Sequence, residues 1–263
     1  MICGGVDGGS RAIKVVLLDC AGCEILASGV RDQGVDHDRI ARELFDELLE
    51  STGLARTDVA RVVATGYTRG AITFADTTVT EITCHAAGVR QGVPDAATVV
   101  EIGGQDSKLL RLSADGTVRD FAMNDRCAAG TGRFLEVVAS RLGVGLDELG
   151  EMARAAQAPA SISSMCVVFA ETEIIGLLAS GESPENIVAG VQASIASRVA
   201  AMLGRDATPP VLFTGGVALI PGMTGALASA IGADVTVAPD PQMTGALGAA
   251  IVACRQAEAG GGS

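Results

Sequence analysis

The sequence predicts an α/β protein made of two halves with similar topology. Three observations indicate this fold class. Segments with strand periodicity alternate with segments of helical periodicity, paired glycines follow several of the strands, and one strand–turn–strand pattern occurs twice. A chain of 263 residues is long enough for each half to bury a core of its own.

The division of the chain follows from the second copy of that pattern. No linker rich in proline or serine separates the halves, and we place the boundary near residues 92–97. The first half is then residues 1–95 and the second half residues 96–240. We expect residues 241–258 to form a C-terminal helix that packs back on the first half, and residues 259–263 to form a disordered tail.

Strands and helices alternate in the first half. Ile13–Asp19 and Glu24–Val30 are predicted as strands joined by a short turn. Asp36–Glu50 carries apolar residues at helical spacing, Val59–Tyr67 is typical of a buried strand that ends in a glycine turn, and Thr80–Gly92 is predicted to be helical. The apolar face of the first of these helices consists of Ile40, Leu44, Phe45, Leu48 and Leu49.

The second half begins with the repeated strand–turn–strand unit at Ala97–Val118. Further on, Ser183 is a suitable helix cap and Pro184 suits the first helical position. The predicted helices are Gly132–Leu142, Val167–Ala179, Glu185–Leu203 and Gly245–Ala259, and the predicted strands are Val211–Val217 and Asp234–Pro239.

The composition argues against several functions. A net charge of −12 opposes binding to nucleic acid, whose phosphates would be repelled. An aromatic content of 3% weakens any interpretation based on base or sugar stacking. No apolar run approaches the roughly 20 residues of a membrane span, and the N-terminus lacks the pattern of a signal peptide. We therefore expect a cytoplasmic protein without a membrane partner, in which disulfides are disfavoured.

Two glycine-rich turns between strands predict phosphate binding. The stretches "VDGGS" and "EIGGQD" match neither the Walker loop nor the G-x-G-x-x-G pattern. Both nevertheless place backbone N–H groups where they can face an anion. In the first turn, Asp7 would face a hydrated Mg²⁺, Gly8, Gly9 and Ser10 would approach phosphate, and Lys14 would add positive charge.

In the second turn, Glu101 would oppose Asp7 across the metal, and Gln105 would orient a water at the terminal phosphate. Lys108 corresponds to Lys14 of the first turn. Either turn alone is more typical of an ordinary glycine hairpin, but their occurrence in a repeated context favours nucleotide binding. A third turn, in "VLFTGGVALIPGM", suits a purine and ribose that lie against bare backbone.

Cys127 and Cys166 are each predicted to precede a helix. At that position the helix dipole and the free N–H groups stabilise a thiolate. Two such cysteines per chain become four metal ligands if a twofold axis passes through the site. The opposing interpretation is that each is a small buried hydrophobic residue, the usual place of a free cysteine. The residues alone leave both interpretations open.

The remaining chemistry-bearing residues are interpreted as structural. Cys20 and Cys23 have C-x-x-C spacing but no second pair accompanies them, and we interpret the motif as incidental. Cys3, Cys84 and Cys254 are interpreted as structural. Two further pairs are left out of the catalytic set, namely His37 with His85 and Glu171 with Glu173.

These motifs together carry a resemblance to a known family. The chain resembles the ATP-dependent activator (archerase) family of 2-hydroxyacyl-CoA dehydratases and the ATPase subunits of benzoyl-CoA reductase, within the actin, sugar-kinase and heat-shock chaperone superfamily. The resemblance extends from residue 4 to about residue 254. The motifs are "VDGGSRAIK", "VVATGYTRGAITFAD", "TEITCHAAG", "EIGGQDSK", "NDRCAAGTGRFLEV", "CVVFAETEIIGLLASG", "FTGGVALIPG" and "QMTGALGAA".

The resemblance implies two ribonuclease-H-like halves around a nucleotide cleft that takes ATP or ADP with Mg²⁺. Asp7, Glu101 and Gln105 would be catalytic, and the two acids would hold the Mg²⁺ through water. One 4Fe–4S cluster per homodimer would be held by Cys127 and Cys166 of each chain. The residues expected to bind nucleotide are Gly8, Gly9, Ser10, Arg11, Lys14, Gly103, Gly104, Gln105, Asp106, Gly130, Thr131, Gly132, Gly215, Gly216 and Val217.

The implied function is electron transfer driven by ATP. Ferredoxin or flavodoxin would donate the electron, and an iron–sulfur dehydratase or reductase would accept it. Alternatives are a permanent ATPase subunit of a benzoyl-CoA reductase, a small-molecule kinase, and a noncatalytic ATP-dependent regulator of the same fold. The chain departs from the family pattern at Glu101, where aspartate is usual, and at Ile220, where asparagine is common.

Overall fold

The computed structural model describes residues 1–164, 166–204 and 207–260. The described chain divides into two compact units, each with its own sheet. The first unit contains Met1–Asp95, Asp115–Val118 and the C-terminal helix. The second unit contains Ala96–Ala114 and Arg119–Pro241.

Ten strands and eight α-helices lie within the described residues. The strands are β1 (Ile2–Gly8), β2 (Ala12–Asp19), β3 (Glu24–Asp32), β4 (Val59–Thr65), β5 (Thr77–Thr78), β6 (Thr98–Ile102), β7 (Ser107–Leu112), β8 (Val118–Asn124), β9 (Val211–Thr214) and β10 (Val235–Val237). The helices are α1 (His37–Thr52), α2 (Glu81–Gly92), α3 (Gly132–Leu142), α4 (Leu146–Ala155), α5 (Val167–Ala179), α6 (Pro184–Leu203), α7 (Met223–Ile231) and α8 (Thr244–Gly260).

The sheet of the first unit has the order β3-β2-β1-β4-β5, with β1 antiparallel to β2 and parallel to β4. One face is covered by α1, whose predicted apolar residues are buried except for the half-buried Leu48. That helix begins where the Asp36 side chain accepts a hydrogen bond from the Arg39 amide, and it ends at Gly53 with a φ of 70°. The other face is covered by α2 and α8.

Glycines allow α8 to approach its neighbours backbone to backbone. A Cβ at Gly5 of β1 would lie 2.0 Å from the carbonyl oxygen of Ala246, and a Cβ at Gly248 would lie 1.7 Å from that of Cys84 on α2. Both distances are far below any van der Waals contact. Only glycine therefore fits these two positions, and the close approach fixes where α8 lies on the sheet.

The sheet of the second unit has the order β10-β9-β6-β7-β8, with β6 antiparallel to β7 and parallel to β9. Helix α6 begins as the sequence predicts, because the Ser183 side chain accepts from the Asn186 amide and Pro184 occupies the first helical position. By length and composition α6 is the one helix of the described chain that could cross a membrane, yet half of its most apolar window is buried. Its apolar residues lie in the core of the unit, as those of a central helix of a globular protein do.

Three local expectations require correction. Helix α8 runs from Thr244 to Gly260, so residues 259 and 260 of the predicted tail are helical, and residues 261–263 lie outside the described residues. Helices α4 and α7 were not predicted.

Cys20 forms a disulfide with Cys254, whereas the sequence led us to disfavour disulfides and to assign Cys20 to an incidental motif with Cys23. Helix α8, at the C-terminal end of the described chain, brings Cys254 to the end of β2. Because the two cysteines are 234 residues apart, no local sequence pattern could predict their pairing.

The close approach of α8 predicts the effect of a single methyl group. We expect Gly248→Ala to lower the free energy of unfolding by about 3 kcal/mol, because the new Cβ must push α8 away from the Cys84 carbonyl. Urea denaturation followed by circular dichroism measures this change.

The matched control is Gly225→Ala, since Gly225 lies in helix α7 and a Cβ there would have no atom within 4 Å. That substitution should raise the stability by up to about 1 kcal/mol, the usual gain of alanine over glycine in a helix. Equal stability of the Gly248→Ala variant and the unsubstituted protein would contradict the packing described for α8.

Candidate functional site

The acidic residue of the first predicted phosphate turn lies at the end of β1 and is buried. Asp7 pairs in register with Lys14 on β2, and the Lys14 ammonium lies 3.1 Å from the Asp7 Oδ2. On its other side, Asp7 pairs in register with Thr65 at the end of β4. Gly66 follows with a φ of 92°, and a Cβ there would lie 2.4 Å from the Asp7 Oδ1.

The same arrangement recurs in the second unit. Glu101 at the end of β6 pairs in register with Lys108 on β7 and with Thr214 on β9. The Lys108 ammonium is 2.9 Å from the Glu101 Oε2, and Gly215 follows Thr214 with a φ of 88°. The predicted internal repeat of acid and lysine is therefore present in both sheets. The structure extends it to a threonine–glycine pair that sequence reasoning missed.

Side chains distant in sequence fix the turn between β1 and β2. The Thr68 amide donates to the Gly8 carbonyl at 2.8 Å, and the Thr68 hydroxyl donates to the same oxygen at 3.1 Å. The Gln33 amide group donates to the Gly9 carbonyl at 2.8 Å. Because the Gly8 and Gly9 carbonyls accept these hydrogen bonds, the turn has a defined conformation. The glycine turn predicted after β4 was the available signal for Thr68; no signal marked Gln33.

The start of α8 also lies against Asp7. A Cβ at Gly245 would lie 2.9 Å from the Asp7 Oδ2. The same Cβ would lie 3.2 Å from the Cε1 of the His85 ring. His85 is buried and its Nδ1 is 2.9 Å from the Thr244 hydroxyl. The sequence left His85 without a role. The structure places it behind the first acidic residue, where it fixes the beginning of α8.

The second turn is held by a buried ionic cluster. Lys108 is 1% exposed and also lies 2.8 Å from the Asp106 Oδ2, so that one ammonium joins two carboxylates. Gln105, the residue predicted to orient a water, is exposed at the tip of the turn. In the first turn, Arg11 was predicted to bind nucleotide. Its guanidinium lies 3.0 Å from the exposed Asp32 carboxylate.

The predicted glycines of the second unit converge on this turn. A Cβ at Gly215 would lie 2.4 Å from the Ile102 carbonyl oxygen. The Gly132 amide donates to the Gly103 carbonyl at 2.9 Å, and the Arg133 amide donates to the Gly104 carbonyl at 2.8 Å. The first turn of α3 is thus hydrogen-bonded directly to the predicted phosphate turn. Of the other predicted residues, Thr131, Gly130 and Val217 are buried beside it, and Gly216 begins a 3₁₀ turn.

Cys127 is an exposed cysteine outside any disulfide, and it caps the 3₁₀ turn Ala128–Gly130 that precedes α3. Asn124 holds its backbone from both sides: the Asn124 Oδ1 accepts from the Cys127 amide at 3.0 Å, and the Asn124 Nδ2 donates to the Cys127 carbonyl at 2.8 Å. A cavity of about 570 Å³ opens beside it, lined in part by Ser107 and Arg198. Asn124 thus fixes the backbone of an exposed cysteine.

Cys166 is also free and exposed, and it stands at the N-cap of α5. Arg198 on α6 donates to the Ser164 carbonyl at 2.9 Å. The Glu173 carboxylate accepts from the Ser163 amide and hydroxyl at 2.8 and 2.7 Å and from the Ser164 amide at 2.9 Å. Glu173, which the sequence led us to leave aside as an ordinary helix charge, therefore positions the segment before Cys166.

The two thiols fit the ligation of a metal cluster that is shared with another chain. Neither is the small buried hydrophobic residue of the opposing interpretation, because both are exposed. Cys166 caps α5, whereas Cys127 caps the short 3₁₀ turn Ala128–Gly130 that leads into α3. Exposed apolar side chains accompany both, on β8 before Cys127 and on α5 after Cys166. They are Phe121, Met123, Val168, Phe169 and Ile175. Cys84, by contrast, is buried and structural, and burial raises the pKa of its thiol to about 12.

Comparison with known proteins identifies the family of the chain. Residues 5–253 match the BadF/BadG/BcrA/BcrD ATPase family. The chain is 46% identical over 255 residues to the activator of lactoyl-CoA dehydratase from Anaerotignum propionicum, covering 97% of this chain and 98% of the relative. It is 35% identical over 237 residues to a subunit of the benzoyl-CoA reductase from Thauera aromatica, covering 88% and 83%.

A solved structure shares the whole fold. The activator of the 2-hydroxyisocaproyl-CoA dehydratase from Clostridium difficile, with bound ADPNP, superposes with a TM-score of 0.93 at 41% identity. The match covers 99% of this chain and 97% of that chain. The predicted fold class, two α/β halves of the actin-like ATPase type, is confirmed.

The Glu173 carboxylate holds Ser163 and Ser164 in place, and its protonation makes the order of these two residues depend on pH. Partial burial alone would raise the pKa of Glu173, but the hydrogen bonds from Ser163 and Ser164 outweigh it and lower the pKa from 4.5 to about 2. The stabilisation is therefore present above about pH 4.5 and is lost as the pH falls towards 2. We expect Glu173→Gln to reduce the amide exchange protection of Ser163 and Ser164 about 10-fold at pH 7.

Hydrogen exchange measured by mass spectrometry tests this expectation. The control is Glu171→Gln, because Glu171 lies on the same helix but pairs with Arg141 instead. If both variants lose the same protection at Ser163 and Ser164, Glu173 has no specific role there.

Proposed function

The chain belongs to the BadF/BadG/BcrA/BcrD ATPase family, and we propose that it is an ATP-hydrolysing activator that delivers one low-potential electron to an iron–sulfur 2-hydroxyacyl-CoA dehydratase. One observation carries this proposal above all. Helix α3 follows Cys127 after the 3₁₀ turn Ala128–Gly130, and its first two amides are hydrogen-bonded to the predicted phosphate turn. A nucleotide-dependent movement of the phosphate turn would therefore reach α3 directly and Cys127 through this 3₁₀ turn.

Each unit supplies one acidic hairpin for a magnesium nucleotide. Asp7 and Glu101 are the residues that would hold Mg²⁺ through water, and Mg²⁺ would supply charge neutralisation at the phosphates. Gln105 is exposed at the tip of its turn, where its side chain can orient the attacking water. The glycines of both turns carry no side chain that would keep a phosphate away from the backbone. The Gly103 N–H itself donates to the Asp106 carbonyl within its turn.

Cys127 and Cys166 are the residues that would ligate a 4Fe–4S cluster, together with the same two residues of a second chain. Such a cluster accepts and releases single electrons. This chain contributes fixed thiolates, because Asn124 holds the backbone of Cys127 while Glu173 and Arg198 hold the segment before Cys166. The exposed apolar side chains near both cysteines supply the surface on which a homodimer would close around the shared ligands.

The direction of coupling follows from the hydrogen bonds of α3. Closing on ATP draws the Gly103–Gly104 turn towards the phosphates, and the Gly132 and Arg133 amides must follow their acceptors or lose them. Helix α3 then shifts relative to its starting position, and Cys127 shifts with it. ATP in this mechanism favours one of two arrangements of the cysteine-bearing helices, and hydrolysis restores the other.

The proposed partners follow from this activity. Ferredoxin or flavodoxin would reduce the homodimer, and the dehydratase's own iron–sulfur centre would accept the electron. These exchanges belong to the cytoplasm. The higher identity to a dehydratase activator, 46% against 35% for a benzoyl-CoA reductase subunit, favours a separate activator over a permanent subunit. A kinase or a noncatalytic regulator of this fold would give the exposed cysteines no task.

The cluster assignment predicts the outcome of single substitutions. We expect protein purified without oxygen to be a brown homodimer with about four irons per dimer. Cys127→Ser and Cys166→Ser should each remove the colour and lower the iron content, because either change removes two of the four ligands. Iron analysis and visible absorption measure both effects.

Cys23→Ser is the matched control, since Cys23 is a free cysteine of the first unit with no role in the site. It should keep colour and iron. Iron that persists in Cys127→Ser at the level of the control would show that this residue is not a ligand.

The coupling predicts that a methyl group at the start of α3 separates ATP hydrolysis from electron delivery. A Cβ at Gly132 would lie 3.0 Å from both the Gly103 carbonyl oxygen and the Val217 side chain, so Gly132→Ala should push the start of α3 and the turn apart by a few tenths of an ångström. We expect iron content to be retained while electrons delivered per ATP fall by about 10-fold or more. Single-turnover reduction of the acceptor, measured beside phosphate release, tests this.

Gly145→Ala provides the comparison, because Gly145 also stands at the start of a helix but has open space where a Cβ would lie. Its yield of electrons per ATP should equal that of the unsubstituted protein. An unchanged yield in Gly132→Ala would remove α3 from the coupling route.

A further inference from the structure

Three cysteine sulfurs meet in the first unit, on residues that belong to neither phosphate turn. Cys3 lies on β1, Cys20 follows β2, and Cys254 lies on α8. Their Sγ atoms are all within 4.8 Å of one another, and Cys20 is joined to Cys254 by a disulfide. Cys3 is fully buried and Cys254 is 6% exposed. Neither the nucleotide site nor the proposed cluster uses any of the three.

The triangle of these three sulfurs has the size of a thiolate metal site. A zinc ion bound to sulfur at about 2.3 Å places sulfur ligands roughly 4 Å apart. The Cα atoms of Cys20 and Cys254 are 5.6 Å apart, so their side chains can reach a common ion once the disulfide is reduced. The third sulfur, that of Cys3, already stands beside this pair. A disulfide alone needs no third buried cysteine at its side.

Positive charge lies close to the triangle. Burial raises the pKa of the Cys3 thiol, and a hydrogen bond with the Arg61 backbone opposes this shift. The charges of the N-terminal amine and of Arg61, the in-register neighbour of Cys3 on β4, also favour the thiolate, whereas the charge of Asp76 makes a smaller contribution in the same direction as burial. A bound cation reverses that balance, because it directly offsets the cost of the deprotonation that burial resists.

We propose that the reduced forms of Cys3, Cys20 and Cys254 bind a soft divalent cation of the zinc class, and that the Cys20–Cys254 disulfide is the metal-free oxidised state of the same site. A dithiol reductant supplies two electrons and two protons to the disulfide and itself becomes a disulfide. The cation then displaces three protons from the three thiols. Cys20 is only partly buried, and on its side a water completes the fourth position.

Either state ties together the elements that carry the first phosphate turn. Cys3 and Asp7 lie on the same strand, and Cys254 lies on the helix whose first residues pack against Asp7. The site therefore keeps α8 attached to the sheet in both oxidising and reducing conditions. The proposal is independent of the proposed electron transfer, because it involves none of the residues assigned to nucleotide or iron.

Metal titration of the full-length chain tests the proposal. Cys127→Ser and Cys166→Ser are introduced together as the parent, so that bound metal cannot belong to the iron site. Reduced parent is titrated without oxygen with Co²⁺, whose thiolate charge-transfer absorption reports sulfur ligation, and with Zn²⁺ in competition with a chromophoric chelator. We expect one ion per chain, and a loss of affinity of about 100-fold or more in Cys3→Ser.

Two further measurements make the result decisive. Oxidation of the parent to the Cys20–Cys254 disulfide should abolish binding without any substitution that could impair folding, and Cys254→Ser should act like Cys3→Ser. Cys23→Ser is the matched control and should bind as the parent does, because Cys23 lies outside the triangle. The proposal is overturned if the reduced parent binds neither ion, if Cys3→Ser binds like the parent, or if oxidised parent still binds one ion per chain.

Discussion

An acidic side chain held between two neighbouring strands is the constraint on which each unit depends. In both units the acid ends the central strand, a lysine lies opposite on the antiparallel neighbour, and a threonine followed by a glycine lies on the parallel neighbour. A buried carboxylate needs a cationic partner, and leaving it alone costs about 3–5 kcal/mol. The glycine must have positive φ and must lack a side chain, because a Cβ would enter the space of the acid and its strand. Together these requirements fix where the phosphate turn begins.

Backbone hydrogen bonds join the second turn to the start of α3. The carbonyls of Gly103 and Gly104 face the first amides of α3, which have no partner within their own helix. A side chain could rotate and release such a contact, but a backbone amide moves only with its helix. The cysteines themselves are held by side chains of their own surroundings, Asn124 for Cys127 and Glu173 for the segment before Cys166. Both cysteines are exposed residues, and these hydrogen bonds hold the backbone at or near each of them.

The sequence predicted those parts of the site that local patterns encode. The repeat of acid and lysine at the same spacing is a property of a hairpin, and the helices after Cys127 and Cys166 follow from periodicity. The parts that it missed depend on contacts between distant segments. Thr68 and Gln33 reach the first turn from other strands and loops, and the partner of Cys20 is 234 residues away. The sequence analysis noted Glu173 in the first turns of a predicted helix. A carboxylate is so common there that its position alone does not indicate a role.

The second turn explains why glutamate at position 101 is compatible with the proposed cation. In the first unit one carboxylate meets one ammonium, and the pair of Asp7 and Lys14 is neutral. In the second unit the Lys108 ammonium meets both the Glu101 and the Asp106 carboxylates, so two acids share one ammonium. A Cβ at Gly103 would lie 2.8 Å from the Asp106 Oδ1 and 3.1 Å from the Glu101 Oε1, so both carboxylates border the space that this glycine leaves open. The extra methylene of Glu101 therefore brings its carboxylate to that space, and the charge needed to attract a divalent cation belongs to the pair of acids rather than to either one.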